Sequence, residues 1–154
     1  MIVPVNKGTI LIIDDQERSR SLYRALLLRE GYEVLEAESG ERGLELVKSA
    51  KPDVIILDLF LPALSGSDVL ERIRADDSTK KIPIIVLSVE GEKDAIQKLL
   101  RLGAQDYLVK GFTPPKEVLS KLRTVMQKAG AKSPAPSYKI RIIEGQVDAP
   151  QLEQ

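Results

Sequence analysis

The chain has 154 residues, 43% hydrophobic and 30% charged, which fits one soluble globular domain large enough to bury a real core. Its 23 Lys and Arg balance 23 Asp and Glu, so there is no electrostatic case for nucleic-acid binding. Cysteine and histidine are both absent, which excludes disulfides, thiolate nucleophiles, imidazole metal ligands, Ser-His-Asp catalysis and service as a phosphohistidine donor.

The opening residues carry no signal-peptide pattern, and no stretch approaches the ~18 apolar residues that cross a membrane. A cytoplasmic location without membrane contact is the expectation. Residues 9–13 read as a first strand, ending in Asp14-Asp15. A helix follows to about Glu30, with Leu22, Ala25, Leu26 and Arg29 on neighbouring turns and Gly31 as its stop. Residues 32–37 form a short second strand. Ser39 is placed to cap a helix over 40–50 with Leu44 and Val47 inward, and Lys51-Pro52-Asp53 breaks it.

Val54-Ile55-Ile56-Leu57 then runs into Asp58 as a third strand, apolar without alternation and therefore covered on both faces. Ser65-Gly66-Ser67-Asp68 has capping-box spacing and opens a third helix with Val69, Leu70 and Ile73 inward. Residues 82–87 are the fourth strand, with Pro83 tolerated at its beginning. A fourth helix over about 92–102 carries Ala95, Ile96, Leu99 and Leu102. Asp106 to Val109 is the fifth strand. Thr113 is expected to cap a fifth helix with Pro114 at its first position and Val118, Leu119, Leu122, Val125 and Met126 as its apolar stripe. Residues 8–130 thus make one α/β domain, a doubly wound five-stranded parallel sheet with helices on both faces. Residues 131–154 read as a linker and tail, in which 138–142 alternate with period two and are as compatible with a short strand as with a polar tail.

Four of the apolar runs stop at reactive groups. The first ends in Asp14-Asp15, the third in Asp58, the fourth in Ser88 and the fifth in Lys110. Open α/β sheets build their sites at the carboxyl ends of the strands, so these groups are expected at one edge. Three carboxylates crowded there would repel and raise one another's pKa, and a hard divalent cation offsets that repulsion.

These residues, in this order, resemble a response-regulator receiver domain, the phosphorylatable half of a two-component signalling pair. Asp58-Leu59-Phe60-Leu61-Pro62 with Gly66, Gly103-Ala104-Gln105-Asp106-Tyr107 and Lys110 complete the likeness, over about residues 8–129. The resemblance implies a flavodoxin-like receiver fold with strand order 2-1-3-4-5. It implies Asp58 as the phosphoacceptor, supplied by a histidine kinase or a histidine phosphotransfer protein. It implies Mg²⁺ held by Asp15, Asp58 and the Phe60 carbonyl, with Asp14 acting through water. Lys110 and Ser88 would meet the phosphoryl oxygens, and Tyr107 would be the switch aromatic answering Ser88. Output would be altered protein–protein binding on the face of the fourth helix, fifth strand and fifth helix, where Gln97, Lys98, Arg101 and Lys121 are expected to be exposed. A homodimer stays open.

Two positions depart from the family. Gly111 follows Lys110 where the family has a proline after a cis peptide, and Val89 stands where a small residue is usual, which is expected to narrow access to Asp58. Three alternatives remain at this stage. A pseudo-receiver would keep the fold as a binding module without the chemistry. A haloacid-dehalogenase-type phosphohydrolase would want a second Asp where Phe60 stands. A flavodoxin-like cofactor site would have its phosphate repelled by Asp14-Asp15-Gln16-Glu17.

Overall fold

A computed structural model describes residues 6–89 and 93–130. Ten elements alternate strictly: β1 (Thr9–Ile13), α1 (Glu17–Arg29), β2 (Glu33–Ala37), α2 (Gly40–Ala50), β3 (Val54–Asp58), α3 (Gly66–Ala75), β4 (Ile84–Ser88), α4 (Lys93–Arg101), β5 (Asp106–Val109) and α5 (Pro115–Lys128). The strands form one parallel sheet in the order β2-β1-β3-β4-β5. Consecutive strands in such a sheet need crossovers, and the helices supply them.

The unbroken apolar runs of β1, β3 and β4 arise because alternate residues serve two cores. Leu11, Ile13, Ile55, Leu57, Ile84 and Val86 face α2, α3 and α4, meeting Val47, Val69, Leu70, Ile73 and Leu99. Ile10, Ile12, Val54, Ile56, Ile85 and Leu87 face α1 and α5, meeting Leu27, Val118, Leu122 and Val125. A one-residue slip of any strand would exchange the two sets, so register is fixed twice over. It pairs Ile13 with Leu57, Asp58 with Leu87 and Ser88 with Val109. The polar groups that end the strands therefore come to one edge.

Local signals hold where side chains can reach backbone. Ser39 Oγ accepts from Arg42 N at 3.1 Å, and Ser65 Oγ from Asp68 N at 3.2 Å. Ser39→Ala should destabilise the fold by about 1 kcal/mol, read as a lower urea midpoint at unchanged m-value.

Other expectations need correcting. Thr113 is not the cap of α5: its Oγ1 accepts from Val109 N at 2.8 Å, the cap position is Pro114, and Pro115 opens the helix. Either of two adjacent prolines suits a first turn, and Thr113 is taken up by the strand end. Leu22 is 68% exposed, and the buried α1 residues are Ser19 and Leu27, with Tyr23 and Leu26 packed beside them. Pro83 precedes β4 rather than opening it; its carbonyl accepts from Ile55 N. The strand considered at 138–142 lies outside the described residues.

Candidate functional site

The acids at the end of β1 are not spent on capping. The cap of α1 is Gln16, with no side-chain bond. Asp14 Oδ1 instead accepts from Gln16 N at 3.0 Å, which turns the Asp14 carboxylate back over the sheet edge. Asp14 is fully buried and Asp15 is exposed. Asp58, the last residue of β3, is buried too; its Oδ1 accepts from Phe60 N at 3.3 Å. One carboxylate oxygen from each of Asp14, Asp15 and Asp58 falls within 4.8 Å of the others.

Lys110 enters from the end of β5. Its Nζ lies 3.2 Å from Asp58 Oδ2, 3.2 Å from Asp14 Oδ2 and 3.4 Å from Asp14 Oδ1, and donates to Gln16 Oε1 at 3.2 Å. Its backbone is anchored where Lys110 N donates to Ser88 O at 2.7 Å. No peptide bond among the described residues is cis, and Gly111 turns the chain with φ +78°. Glycine rather than proline thus redirects the loop after the lysine, and the ammonium still reaches the acids.

The charge balance is uneven. Burial and then the Asp14 charge push Asp58 up to about 6, against the pull of Lys110. Burial also acts upward on Asp14, but the polar groups around it, the Gln16 N–H and the Lys110 ammonium among them, outweigh it and hold Asp14 below the usual carboxylate value. Asp14 Oδ2 is buried with no aligned hydrogen-bond partner among the described residues. A clustered set of hard oxygen donors, one of them unsatisfied, fits a hard divalent cation such as Mg²⁺.

Ser88 is buried, its Oγ 3.4 Å from Leu108 O. Tyr107, on the neighbouring strand, is 36% exposed, and Lys121 Nζ stands 4.5 Å from its ring centroid. Gln97, Lys98 and Arg101 are exposed as expected. Lys121 is not a free surface group. Its ammonium donates to Tyr107 O at 2.8 Å and pairs with Asp106 at 3.3 Å and Glu117 at 3.8 Å. Around the carboxylates, Phe60, Val89 and Phe112 are exposed apolar side chains.

Two residues near the end of β1 escaped the reading from sequence, Gln16 at this site and Ser19 buried in α1. Gln16 touches Lys110 across 94 positions of chain, and nothing local announces that contact. Ser19 had a signal: it lies four and eight residues before Tyr23 and Leu27, on the inward stripe of α1.

With this geometry in place, comparison with known proteins is direct. The family description "response regulator receiver domain" matches residues 10–123. The chain is 40% identical over 122 residues to the phosphate regulon transcriptional regulatory protein PhoB of Pseudomonas aeruginosa, covering 79% of this chain and 53% of that protein. It is 40% identical over 107 residues to the chemotaxis protein CheY1 of Helicobacter pylori, covering 68% of this chain and 86% of that one. A crystal structure of a response regulator from Chloroflexus aurantiacus superposes with TM-score 0.76 at 33% identity, covering 79% of this chain and 99% of the other. The chain spans about half the length of the transcriptional regulators it matches. No helix among the described residues is long and apolar enough to cross a membrane. Strand order, acid cluster and sequence likeness agree: over residues 10–123 this chain belongs to the response regulator receiver family.

Proposed function

We propose that this chain is a phosphoacceptor switch that takes a phosphoryl group from a histidine kinase or a histidine phosphotransfer protein onto Asp58. The observation that carries the proposal is the placement of Lys110 Nζ 3.2 Å from Asp58 Oδ2, beside two further acids. In the transfer, a carboxylate oxygen of Asp58 forms a bond to phosphorus as the phosphorus–nitrogen bond of the donor histidine breaks, and the departing imidazole keeps the electron pair. The product is an acyl phosphate. Asp14, Asp15, Asp58 and the Phe60 carbonyl would hold Mg²⁺, whose charge offsets that of the phosphoryl oxygens when it is bound.

Lys110 is a point charge on a flexible stem, suited to follow the negative charge from Asp58 Oδ2 onto the phosphoryl group. Ser88, next along the edge, would donate its hydroxyl to the same group. That donation would draw Ser88 away from Leu108 O and bias the Tyr107 ring and the Lys121 contacts over it. The affected face, built by α4, β5 and α5, would then bind a downstream protein differently. For the donor, a groove of about 790 Å³ opens beside Lys110, between α1 and α5, with Leu22, Leu26 and Val118 along it. Two of the matched relatives, PhoB and PhoP, are named as transcriptional regulatory proteins; the readout proposed for this chain is a protein–protein contact.

The test is incubation with a small-molecule phosphodonor and Mg²⁺, followed by intact mass. The wild-type chain should gain one phosphoryl group; Asp58→Asn, or wild type with a chelator, should gain none. Uptake by Asp58→Asn equal to wild type would overturn the assignment of Asp58. Repeated turnover of a phosphate ester would point to the hydrolase instead, and no uptake at all to a pseudo-receiver.

A further inference from the structure

At the end of β1 the backbone of Asp14 passes out of the sheet. Its N–H still donates to Ala37 O at 3.0 Å, but Ala37 is the last residue of β2. The Asp14 carbonyl is taken up by a side chain instead: Arg20 Nη1 donates to it at 2.7 Å. Arg20 lies one turn after Gln16 in α1, and its side chain is only 15% exposed. Its Nε donates to Glu36 Oε1 on β2 at 3.1 Å, and Arg24 Nη1 takes the other Glu36 oxygen at 2.7 Å. The Arg20 guanidinium is thus clamped between a carboxylate on β2 and the carbonyl that leads into Asp15.

The Asp14 carbonyl and the Asp15 N–H belong to one planar peptide. Fixing that carbonyl fixes the plane, and with it the direction in which the chain delivers Asp15. Asp14 has a further hold at its carboxylate, through Gln16 N at 3.0 Å. Asp15 is exposed, and the place of its carboxylate follows from the peptide beneath it. Three carboxylates with oxygens within 4.8 Å of one another repel, and a free peptide would turn to relieve them. A charge-assisted bond from a planar guanidinium, itself oriented by an ion pair, resists that turn.

We propose that Arg20 is a positioning residue for the metal site: through the Asp14 carbonyl it holds the Asp14–Asp15 peptide so that both carboxylates stay within reach of Asp58. This rests on the reading of the three acids as the Mg²⁺ site. Its sign separates it from simple electrostatics. Arg20 is a cation near a cation site, so deleting its charge would by Coulomb's law alone tighten Mg²⁺ binding. Losing an anchor weakens it.

The test is Mg²⁺ titration of the unphosphorylated full chain, followed by amide NMR shifts at residues 14–19 and 58–60. Arg20→Met keeps the stem and removes the fork; it should weaken Mg²⁺ binding about tenfold, the usual effect of losing a partner behind a ligand. Arg24→Met is the control. It breaks an ion pair to the same Glu36 while leaving the bond to the Asp14 carbonyl in place, and its Mg²⁺ affinity should stay within about twofold of wild type. Arg20→Lys keeps the charge and a donor without the fork, and should fall between them, about threefold weaker than wild type. A merely structural arginine would lower the melting temperature and leave the Mg²⁺ affinity alone. Binding by Arg20→Met as tight as wild type or tighter, or an equal loss in Arg24→Met, overturns the role of Arg20 and leaves the metal site standing. Should Arg20→Met not fold, Arg20→Lys binding as tightly as wild type overturns it in the same way. Absence of Mg²⁺ binding by the wild-type chain removes both.

Discussion

Gly66→Ala is expected to destabilise the protein by about 3 kcal/mol or more and to disable phosphoryl uptake in whatever fraction still folds. Gly66 opens α3 with an ordinary backbone conformation, so the argument is space rather than φ. An added Cβ would run into the backbone carbonyl oxygen of Asp58 and lie 2.8 Å from Leu59 O and 3.1 Å from Leu59 Cα. All three are backbone atoms of β3's end, with Asp58 and Leu59 pinned into the sheet beside Leu87. No side-chain rotation relieves them; either α3 moves off the sheet or the phosphoacceptor does. Gly111→Ala is the contrasting case. Nothing lies within 4 Å of its Cβ, but φ is +78°, so alanine there should cost only about 1–2 kcal/mol through backbone strain. Urea unfolding of the two variants separates the mechanisms. A Gly66→Ala protein as stable as Gly111→Ala would show that the strand end yields, and that the close approach does not set the acid's position.

The same close approach explains how much of the site was readable beforehand. Asp14, Asp58, Ser88 and Lys110 were legible because each is the first polar group after an apolar run, and a parallel sheet brings such ends together. The periodicity of β1, β3 and β4 left little freedom, since both faces of each strand are covered. Helix faces were harder. Leu22 is apolar and lies at solvent, while Ser19 is polar and buried, because α1 packs on the sheet through the face that carries Tyr23, Leu26 and Leu27. Contacts between segments distant in sequence were not legible at all. Gln16 on Lys110 depends on how the β5–α5 loop folds after Gly111, and Lys121 under Tyr107 depends on the tilt of α5. Thr113 misled for a local reason: its hydroxyl was wanted by Val109 N, which no helix-start rule weighs.

Asp58→Asn is expected to melt higher than the wild-type chain at pH 7 without Mg²⁺, even as it loses the ability to accept a phosphoryl group. Asp58 is pushed from its ordinary 3.8 to about 6, first by burial and then by the Asp14 charge. A folded-state pKa above the unfolded one means the folded chain keeps a proton that the unfolded chain has already lost. Stability from that proton is complete below about pH 4 and is lost as pH rises through about 6. At pH 7 the wild type therefore carries the whole penalty of an ionised Asp58. Asparagine carries no charge to bury or repel. It gives up the Lys110 bond to Asp58 Oδ2, but Lys110 keeps Asp14 and Gln16. The net gain should be about 1–3 kcal/mol, a rise of roughly 3–10 °C in melting temperature. Two further measurements bind this gain to the proposed cause. The advantage should shrink toward zero as pH falls to about 4, where both chains are neutral at this position. Saturating Mg²⁺ should raise the melting temperature of the wild type more than that of Asp58→Asn, because the cation offsets a repulsion that the variant no longer has. An Asp58→Asn protein less stable than wild type at pH 7, or a gain unchanged at pH 4, would mean that the three acids are already balanced by Lys110. The demand for a cation, and with it the reading of this edge as a phosphoryl-accepting centre, would then lose its electrostatic basis.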